Sequence, residues 1–244
     1  MARKTLNRGP SSRKSTDALA EKSVGPVRRR LSPEERRRQI VVAAKTLFSE
    51  EGVDHVSMRK IAREVGITQA AIYQHFENRD AILFAIIEDF FADLLEVLAT
   101  AVARETQPLL SLRSAMRAYV DYGLAHPEAY RLVFMTPISG LVRAGVGVPR
   151  TEEAKLKPSK GTLAFDVLDS AVRKVMECGM VRHDNADLLA EAIWAAGHGL
   201  VSLLITHNEF PWTDPDKVID IQIDLLFRGL LNEDSPMRTK MFPA

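Results

Sequence analysis

Residues 57–76 read SMRKIAREVGITQAAIYQHF, and the first third of the chain is arranged around this stretch. Ser57 is a good N-cap, and apolar side chains recur behind it at helical spacing. Gly66 supplies the positive φ at which helices often end, and Thr68 then caps a second helix. Two short helices joined by a glycine-centred turn are typical of the helix-turn-helix, whose second helix can enter the major groove of DNA.

The outward face of the second predicted helix has the chemistry that DNA contacts require. If Ile72 and Phe76 face a core, a rotation of roughly 100° per residue turns the other side chains of this helix outward. These outward positions are Gln69, Ala70, Ala71, Tyr73 and Gln74. They are small, polar or aromatic and include no carboxylate, which suits an approach to phosphates and base edges. The alternative interpretation is the ordinary exposed surface of a small helical domain.

A family resemblance extends this argument in both directions along the chain. The segment from Glu35 to Leu83 contains the run RRQIVVAAKTLFSEEGVDHVSMRKIAREVGITQAAIYQHFENRDAIL. This run resembles the N-terminal domain of the tetracycline-repressor (TetR) family of bacterial transcription regulators. Its end, IYQHFENRDAIL, is similar to the family's most recognisable signature, an aliphatic-Tyr-x-[His/Tyr]-Phe segment followed by a capped fourth helix. The resemblance implies a three-helix head that binds DNA.

Position by position, the resemblance and the side-chain chemistry imply two sets of DNA contacts. The expected phosphate contacts are Ser57, Arg59, Tyr73 and Arg79. The expected base-edge contacts are Thr68, Gln69, Ala71 and Gln74, and His75 fits either role. Many family members carry a basic residue near the start of the recognition helix, where this chain has Gln69. The base preference of other members therefore cannot be transferred to this chain.

The charge of the 244-residue chain is distributed unevenly. Residues 1–80 carry a net charge of +7 and the remainder a net charge of −6, although the whole chain is close to neutral. Hydrophobic residues make up 46% of the sequence, which suits one or two globular domains with a substantial core. A basic N-terminal third is expected of a nucleic-acid-binding head, and an acidic remainder is expected of a body that is not itself drawn to DNA.

The first 31 residues are predicted to be a disordered basic arm. They carry nine Lys and Arg residues against Asp17 and Glu21, with too few apolar residues to form a core. Arg28, Arg29 and Arg30 would lie nearest the duplex and could contact phosphate or an adjacent minor groove. A passive solvated tail is the equally acceptable alternative.

The remaining periodicity predicts an all-α chain with a helix-turn-helix head and a helical-bundle body. Ser32 caps the first helix in a capping box with Glu35, and Asn78 caps a fourth helix that continues to about residue 105. We expect a head over 32–83, a body for ligand binding and dimerisation over 106–233, and a tail over 234–244. A long connector rich in Gly, Pro and charge separates the sixth and seventh predicted helices, from about 136 to 161.

The body contains a second, looser resemblance. Residues 126–205 include HPEAYRLVF and, later, Trp194 followed after three residues by His198 and Gly199. This pattern resembles a C-terminal domain of the Trp-x-x-x-His-Gly type found in part of the same family, which implies dimerisation and binding of a small effector. Trp194 and His198 lie four apart on one helix face and could line an effector pocket. A packed histidine with satisfied hydrogen bonds is the more ordinary alternative.

Dimerisation is predicted through the eighth helix, about Asn185–Thr206, and the ninth helix, which ends at about Leu231. Glycines are unfavourable inside a helix, so Gly197 and Gly199 suggest the close approach of another helix. The ninth helix, which begins at Asp214 or Asp216, is amphipathic and needs a partner surface. The apolar positions expected in that interface are Val218, Ile221, Leu225 and Phe227.

Other classes of protein find little support in the sequence. We expect no enzyme, because no catalytic triad order, phosphate-cradling glycine loop or metal-ligand spacing of Cys and His occurs. No cofactor or metal site is expected. No membrane segment is expected either, because Asp, Glu or His interrupt the longest apolar stretches. Cys178 is the only cysteine, which fits a reducing cytoplasm.

The sequence therefore predicts a cytoplasmic, homodimeric DNA-binding transcription regulator, most simply a repressor released from operator DNA by a small-molecule effector of unknown identity. Gln can pair with the N6 and N7 atoms of adenine, and Ala or the Thr methyl group can meet the methyl group of thymine. We therefore expect A·T pairs at the base-specific positions. Two alternatives stay open: a DNA-organising protein without an effector, and a helical binding protein or enzyme that uses the body pocket.

Overall fold

The computed structural model describes residues 31–136 and 159–236, and these residues form nine α-helices and no β-strand. The head contains α1 (Pro33–Glu51), α2 (Met58–Val65) and α3 (Gln69–Tyr73), with a short 3₁₀ turn at Val53–His55. The body contains α4 (Arg79–Ala103), α5 (Pro108–Ala125), α6 (Pro127–Phe134), α7 (Lys160–Glu177), α8 (Ala186–Thr206) and α9 (Pro215–Leu230). The all-α prediction is confirmed.

Helix α1 begins with the predicted capping box. The Glu35 backbone N–H donates to Ser32 Oγ at 3.1 Å, and the Ser32 backbone N–H donates to Glu35 Oε2 at 2.7 Å. These two bonds satisfy donors that would otherwise lack a partner at the helix start. The helix ends at Gly52, whose φ of 83° is unfavourable for other residues.

The helix-turn-helix forms as the sequence predicts. Ser57 Oγ accepts from the Lys60 backbone N–H at 3.3 Å, and Thr68 Oγ1 accepts from the Ala71 backbone N–H at 3.1 Å. Between the two caps, Gly66 adopts the left-handed conformation with φ 74° and ψ 34°. The turn therefore fixes the angle at which α3 leaves α2.

A shared core holds the three head helices and the start of α4 together. Ile40, Ile61 and Ile72 are fully buried, and Phe76 is 3% exposed. Each of these side chains removes its apolar surface from water, which stabilises the fold by roughly 1.5–3 kcal/mol per side chain. The core of the head leaves α3 with one face buried and the other free.

Helix α4 continues from the head into the body. Asn78 Oδ1 accepts from the Ala81 backbone N–H at 2.8 Å and caps the helix as predicted. Ten of its residues are buried, on more than one face, so the helix packs against both the head and the body. Helix α6 packs against both α1 and α4, which gives the body a second contact with the head.

Ion pairs fasten α9 to α5. Arg113 Nη2 lies 2.8 Å from Asp224 Oδ1, and Arg117 contacts Asp121, Asp216 and Asp220 at 2.8–3.2 Å. The three aspartates of α9 are spaced four residues apart, so they lie along one side of that helix. These pairs orient α9 on the body and leave its opposite side open.

Helix α8 is long and apolar enough, by length and composition alone, to cross a membrane. Its most apolar window has a mean hydropathy of 1.7, and 44% of that window is buried. Asp187, Glu191 and His198 nevertheless interrupt this helix. Its buried side chains belong to the body core, which explains the composition of a central bundle helix.

The remaining sequence predictions differ from the structure in small ways. Helix α5 begins at Pro108, because Pro at the first helical position needs no partner for a backbone N–H. Asp214, rather than Asp216, caps α9. Phe227, a candidate interface residue, is instead fully buried in the chain's own core. The arm over 1–30, most of the connector and residues 237–244 lie outside the described residues.

Candidate nucleic-acid interface

Helix α3 presents most of the predicted contact residues to solvent. Thr68, Gln69, Tyr73 and Gln74 are exposed. Ala71 and His75 are half-buried, and Ile72 is fully buried and anchors the helix to the core. Two glutamines and a tyrosine are therefore exposed on α3 or at its C-cap. Such side chains can donate to phosphates and pair with base edges.

The outer face of α2 is basic and lies beside the start of α3. Arg59 and Arg63 are both exposed, and together with Ser57 and Gln69 they border an open depression of about 730 Å³. Lys60 lies in the same region but forms an ion pair with Glu51. Arg63 is not among the phosphate contacts predicted from the sequence, although its position four residues after Arg59 places both on one helix face.

Arg79 is engaged within the head. Its Nη1 donates to the Val53 carbonyl at 2.9 Å, and Nη2 lies 3.4 Å from Asp54 Oδ1. Its Nε also lies 3.7 Å from Asp80 Oδ1. These contacts fasten the 3₁₀ turn to the start of α4, so the placement favours a structural role for Arg79 over the expected phosphate contact.

The end of α3 is held by a residue that sequence analysis did not select. Arg37, on α1, donates from Nη1 to the His75 carbonyl at 3.0 Å. Its guanidinium carbon also lies 4.0 Å from the centre of the Phe76 ring. Because the two contact partners are 38 and 39 residues away along the chain, no local pattern identifies this interaction.

In the body, Trp194 and His198 belong to an aromatic cluster. The Trp194 ring centre lies 6.2 Å from that of His198, 6.0 Å from Phe165 and 6.4 Å from Phe134. Trp194 is 40% exposed, which leaves one side of the indole accessible. The structure therefore brings the two predicted pocket residues together with further aromatic side chains.

His198 is part of a hydrogen-bonded chain in this cluster. Its Nδ1 lies 2.7 Å from the Tyr130 hydroxyl, and its Nε2 lies 3.3 Å from Ser202 Oγ. The Tyr130 hydroxyl is also 2.8 Å from that of Tyr119. Burial lowers the pKa of His198 and raises the pKa of Tyr130. A neutral histidine with both ring nitrogens hydrogen-bonded fits a packed histidine of the body, the alternative to a residue that lines an effector pocket.

Large apolar side chains remain exposed on α8 and α9. Leu188 and Leu203 of α8 are 63% and 50% exposed, and Ile221 and Leu225 of α9 are 59% and 61% exposed. A Cβ added at Gly199 would meet no atom within 4 Å, whereas one at Gly197 would touch Tyr119 and Met116 of α5. Gly197 thus admits a neighbouring helix of the same chain, and Gly199 faces open space.

A second open groove, of about 620 Å³, lies between α4, α5 and α7. Ala99, Val102, Val167 and Ala171 contribute to its mostly apolar walls, with Lys174 at its border. Among residues 31–136 and 159–236, no group of three or more His, Cys, Asp and Glu side chains is placed to hold a metal ion.

Family models account for both parts of this architecture. Residues 40–86 match the model of the bacterial regulatory proteins of the tetR family, and residues 112–226 match a tetracyclin repressor-like C-terminal domain. The chain belongs to the TetR family. TetR-family proteins are DNA-binding transcription regulators, so the exposed α3 is the recognition helix of a regulator. The Trp-x-x-x-His-Gly subtype stays a prediction.

Similar proteins include transcription regulators and a nucleoid occlusion factor. The nucleoid occlusion factor SlmA of Haemophilus influenzae is 25% identical over 182 residues, covering 74% of this chain and 78% of SlmA. The transcriptional regulator HbdR of Aromatoleum sp. is 28% identical, covering 68% and 71%. The transcriptional activator FasR of Mycolicibacterium smegmatis is 30% identical, covering 43% and 48%.

Solved structures support the TetR fold. A protein of unknown function from Rhodococcus sp. RHA1 superposes with a TM-score of 0.66 and 25% identity, over 85% of this chain and all of that chain. AibR, solved in complex with isovaleryl coenzyme A and operator DNA, superposes with a TM-score of 0.60 and 20% identity, over 81% of this chain and all of AibR. At that identity, the AibR likeness shows the fold alone.

Proposed function

We propose that this TetR-family regulator is a cytoplasmic homodimer that represses transcription from a pseudo-palindromic operator and leaves it when a small molecule binds the body. The observation that carries the proposal is the capped helix-turn-helix with Thr68, Gln69, Tyr73 and Gln74 exposed on α3. The exposed Arg59 on α2 supplies positive charge beside that helix.

The outer face of α2 and the exposed face of α3 would make different kinds of contact with DNA. Arg59 and Ser57 would contact phosphates, which provides affinity without sequence preference. Gln69 and Gln74, with the methyl groups of Thr68 and Ala71, would read base edges in the major groove. Tyr73 would donate its hydroxyl to a phosphate, and His75 to a phosphate or a base. These roles follow from the exposure and chemistry of the side chains, and each role can be tested by mutation.

Dimerisation would set the distance between the two recognition helices that bind one operator. The exposed apolar residues of α8 and α9, among them Leu203 and Leu225, offer a surface that a second copy can cover. The open position at Gly199 would let a partner helix approach closely. Two recognition helices related by a two-fold axis would enter successive major grooves about 34–36 Å apart.

An effector would act through the body. The partly exposed Trp194, beside His198 and Phe134, could stack on a planar or apolar group of a ligand. AibR, with both isovaleryl coenzyme A and operator DNA in one complex, gives a precedent for a small molecule on this fold. The coupling would be reciprocal, on a scale of about 1–3 kcal/mol.

The direct experiment is selection of duplexes from a random library by the purified full-length protein, followed by sequencing. We expect two related half-sites, each with A·T pairs under the recognition helix. A thermal-shift screen with small metabolites, followed by titration of any hit against the operator complex, tests the effector. Selection of no common sequence would contradict the proposal of an operator.

A DNA-organising protein without an effector is the second candidate. It is favoured by the relatives named nucleoid occlusion factor SlmA, which align with most of this chain. This candidate predicts DNA binding whose affinity no small molecule alters, and a thermal-shift screen without hits. A ligand that weakens operator binding at least tenfold would exclude it.

A further inference from the structure

The recognition helix of this protein depends on contacts with its surroundings. Helix α3 has only five residues, and an isolated helix of that length has too few hydrogen bonds to be stable in water. Its N-terminal end is fixed by the Thr68 cap and the Gly66 turn. Its C-terminal end is held by backbone hydrogen bonds from His75 and Phe76 to the Ile72 carbonyl, both 3.0 Å long, and a side-chain contact can add to them.

Arg37 provides that contact through two different interactions. Its guanidinium donates to the carbonyl of His75, one residue beyond the C-cap Gln74, at 3.0 Å. The same group lies 4.0 Å from the centre of the Phe76 ring, within the range of a cation–π interaction. Phe76 is itself buried in the head core, so Arg37 joins the end of α3 to a rigid base.

Arg37 is also electrostatically linked to α4. Burial raises the pKa of the Asp89 carboxyl, Asp93 raises it further, and the positive charges of Lys160 and Arg37 act in the opposite direction. Arg37 therefore lies close enough to α4 for its charge to act on Asp89.

We propose that Arg37 is a positioning residue for base readout: it holds the C-terminal end of the recognition helix through the His75 carbonyl and the Phe76 ring. The proposal rests on the function proposed above. Loss of Arg37 would leave the charged face of α2 in place, while the C-terminal end of α3 would lose one of the contacts that hold its position. Non-specific attraction to DNA would persist, and discrimination between sequences would fall.

The alternative is a direct phosphate contact by Arg37, since it is an exposed arginine at the DNA-binding end of the molecule. The two roles predict different measurements. Removal of a phosphate contact weakens binding to all sequences and lowers the salt slope by about one unit. Removal of a positioning contact lowers the ratio of specific to non-specific affinity, because base-edge pairing needs the helix at a fixed angle.

The experiment compares Arg37→Ala with Arg38→Ala in the full chain, using the selected operator and a scrambled duplex of equal length over a series of salt concentrations. Arg38 is the adjacent exposed arginine of α1, so its variant removes the same charge without the contacts to His75 and Phe76. We expect Arg37→Ala to lower the specificity ratio about tenfold relative to Arg38→Ala, with equal salt slopes.

Two further variants keep the test decisive if Arg37→Ala folds poorly. Arg37→Lys retains a cation over the ring and should recover part of the specificity ratio. Phe76→Leu retains an apolar core residue but removes the ring, and should lower the ratio in the same direction as Arg37→Ala. Circular dichroism at the assay temperature establishes that each variant is folded.

Several outcomes would overturn the assignment. Equal loss of affinity for both duplexes with a salt slope lower by about one would make Arg37 a phosphate contact instead. A specificity ratio unchanged in the folded variants would remove any positioning role. If the wild-type protein itself shows no sequence preference, the proposed function fails; if it shows one that Arg37→Ala preserves, only the assignment of Arg37 fails.

Discussion

At the scale of single residues, the recognition helix carries glutamines and no arginine or lysine that could hydrogen-bond to guanine. Helix α3 contains no Arg or Lys, and its exposed polar side chains include Gln69 at the first helical position. Because Gln pairs well with adenine N6 and N7, A·T pairs should dominate the base-specific positions. The base preference can therefore be tested without a structure of the protein bound to DNA.

We predict that Gln69→Ala relaxes the preference at one A·T position in each half-site by about 1–3 kcal/mol. The measurement is a selected-site profile for the variant and the wild type. Gln39→Ala, at an exposed glutamine on α1, is the control and should leave the profile unchanged. A Gln69→Ala profile identical to that of the wild type, or a wild-type profile dominated by G·C positions, would contradict this base assignment.

Arg59 should contribute affinity for DNA without a preference for any base sequence. Arg59→Ala is expected to weaken binding to operator and scrambled duplexes alike and to reduce the salt slope by about one unit, because one phosphate contact is lost. Arg104→Ala, at an exposed arginine where α4 ends in the body, is the matched control. If the salt slope of Arg59→Ala matches that of the control, Arg59 does not contact phosphate.

His198 should make stability depend on pH. Burial lowers its pKa in the folded state below the unfolded value of about 6.5, so the unfolded chain binds the proton more readily. Folding stability is therefore lost as the pH falls below the unfolded pKa. We expect the melting temperature to fall less between pH 7.5 and 5.5 in His198→Gln than in the wild type. An equal or larger fall in the variant would show that His198 is not involved.

At the scale of elements, most helix ends follow from cap residues visible in the sequence. Ser32, Ser57, Thr68 and Asn78 each accept a backbone hydrogen bond at the helix they were expected to start. Such bonds join residues three apart, so a local pattern is enough to predict them.

The long-range side-chain contacts of the head and the body could not be predicted from the sequence in the same way. Arg37 reaches His75, Arg79 reaches Val53, and His198 reaches Tyr130, over separations of 26 to 68 residues. A local pattern cannot specify such pairs, because they depend on how the helices pack. The same limit explains why Phe227 was assigned to an interface: amphipathic spacing identifies an apolar side chain but not which of two faces it meets.

Helix α9 should be an element of the dimer. Its buried side chains Ile219, Ile223 and Phe227 face the chain's own core, whereas Ile221 and Leu225 are exposed. Leu225→Arg should give monomers in sedimentation velocity, because a buried unpaired charge disfavours association. Val42→Arg, at a position of α1 that is 67% exposed, adds the same charge elsewhere and should stay dimeric. A folded Leu225→Arg dimer would place the interface on another surface.

At the scale of the whole molecule, the basic head and acidic body separate DNA attraction from the rest of the chain. Helix α4 joins the two parts, and α6 contacts α1 and α4, so a rearrangement in the body has a direct route to the head. An effector that binds one body conformation more tightly would shift the distance between the two recognition helices and thereby change operator affinity. The central requirement is that two heads read one duplex at a fixed spacing.

The measurement that tests this requirement most directly is the affinity of the full-length protein for the selected operator before and after insertion of five base pairs between its half-sites. One helical turn is about 10–10.5 base pairs, so the insertion turns the second half-site to the opposite side of the duplex. We predict that operator affinity falls at least tenfold toward the affinity for scrambled DNA, with one dimer bound per original operator. Affinity that is unchanged by the insertion, or equal for operator and scrambled duplexes, would contradict a dimeric operator-binding regulator.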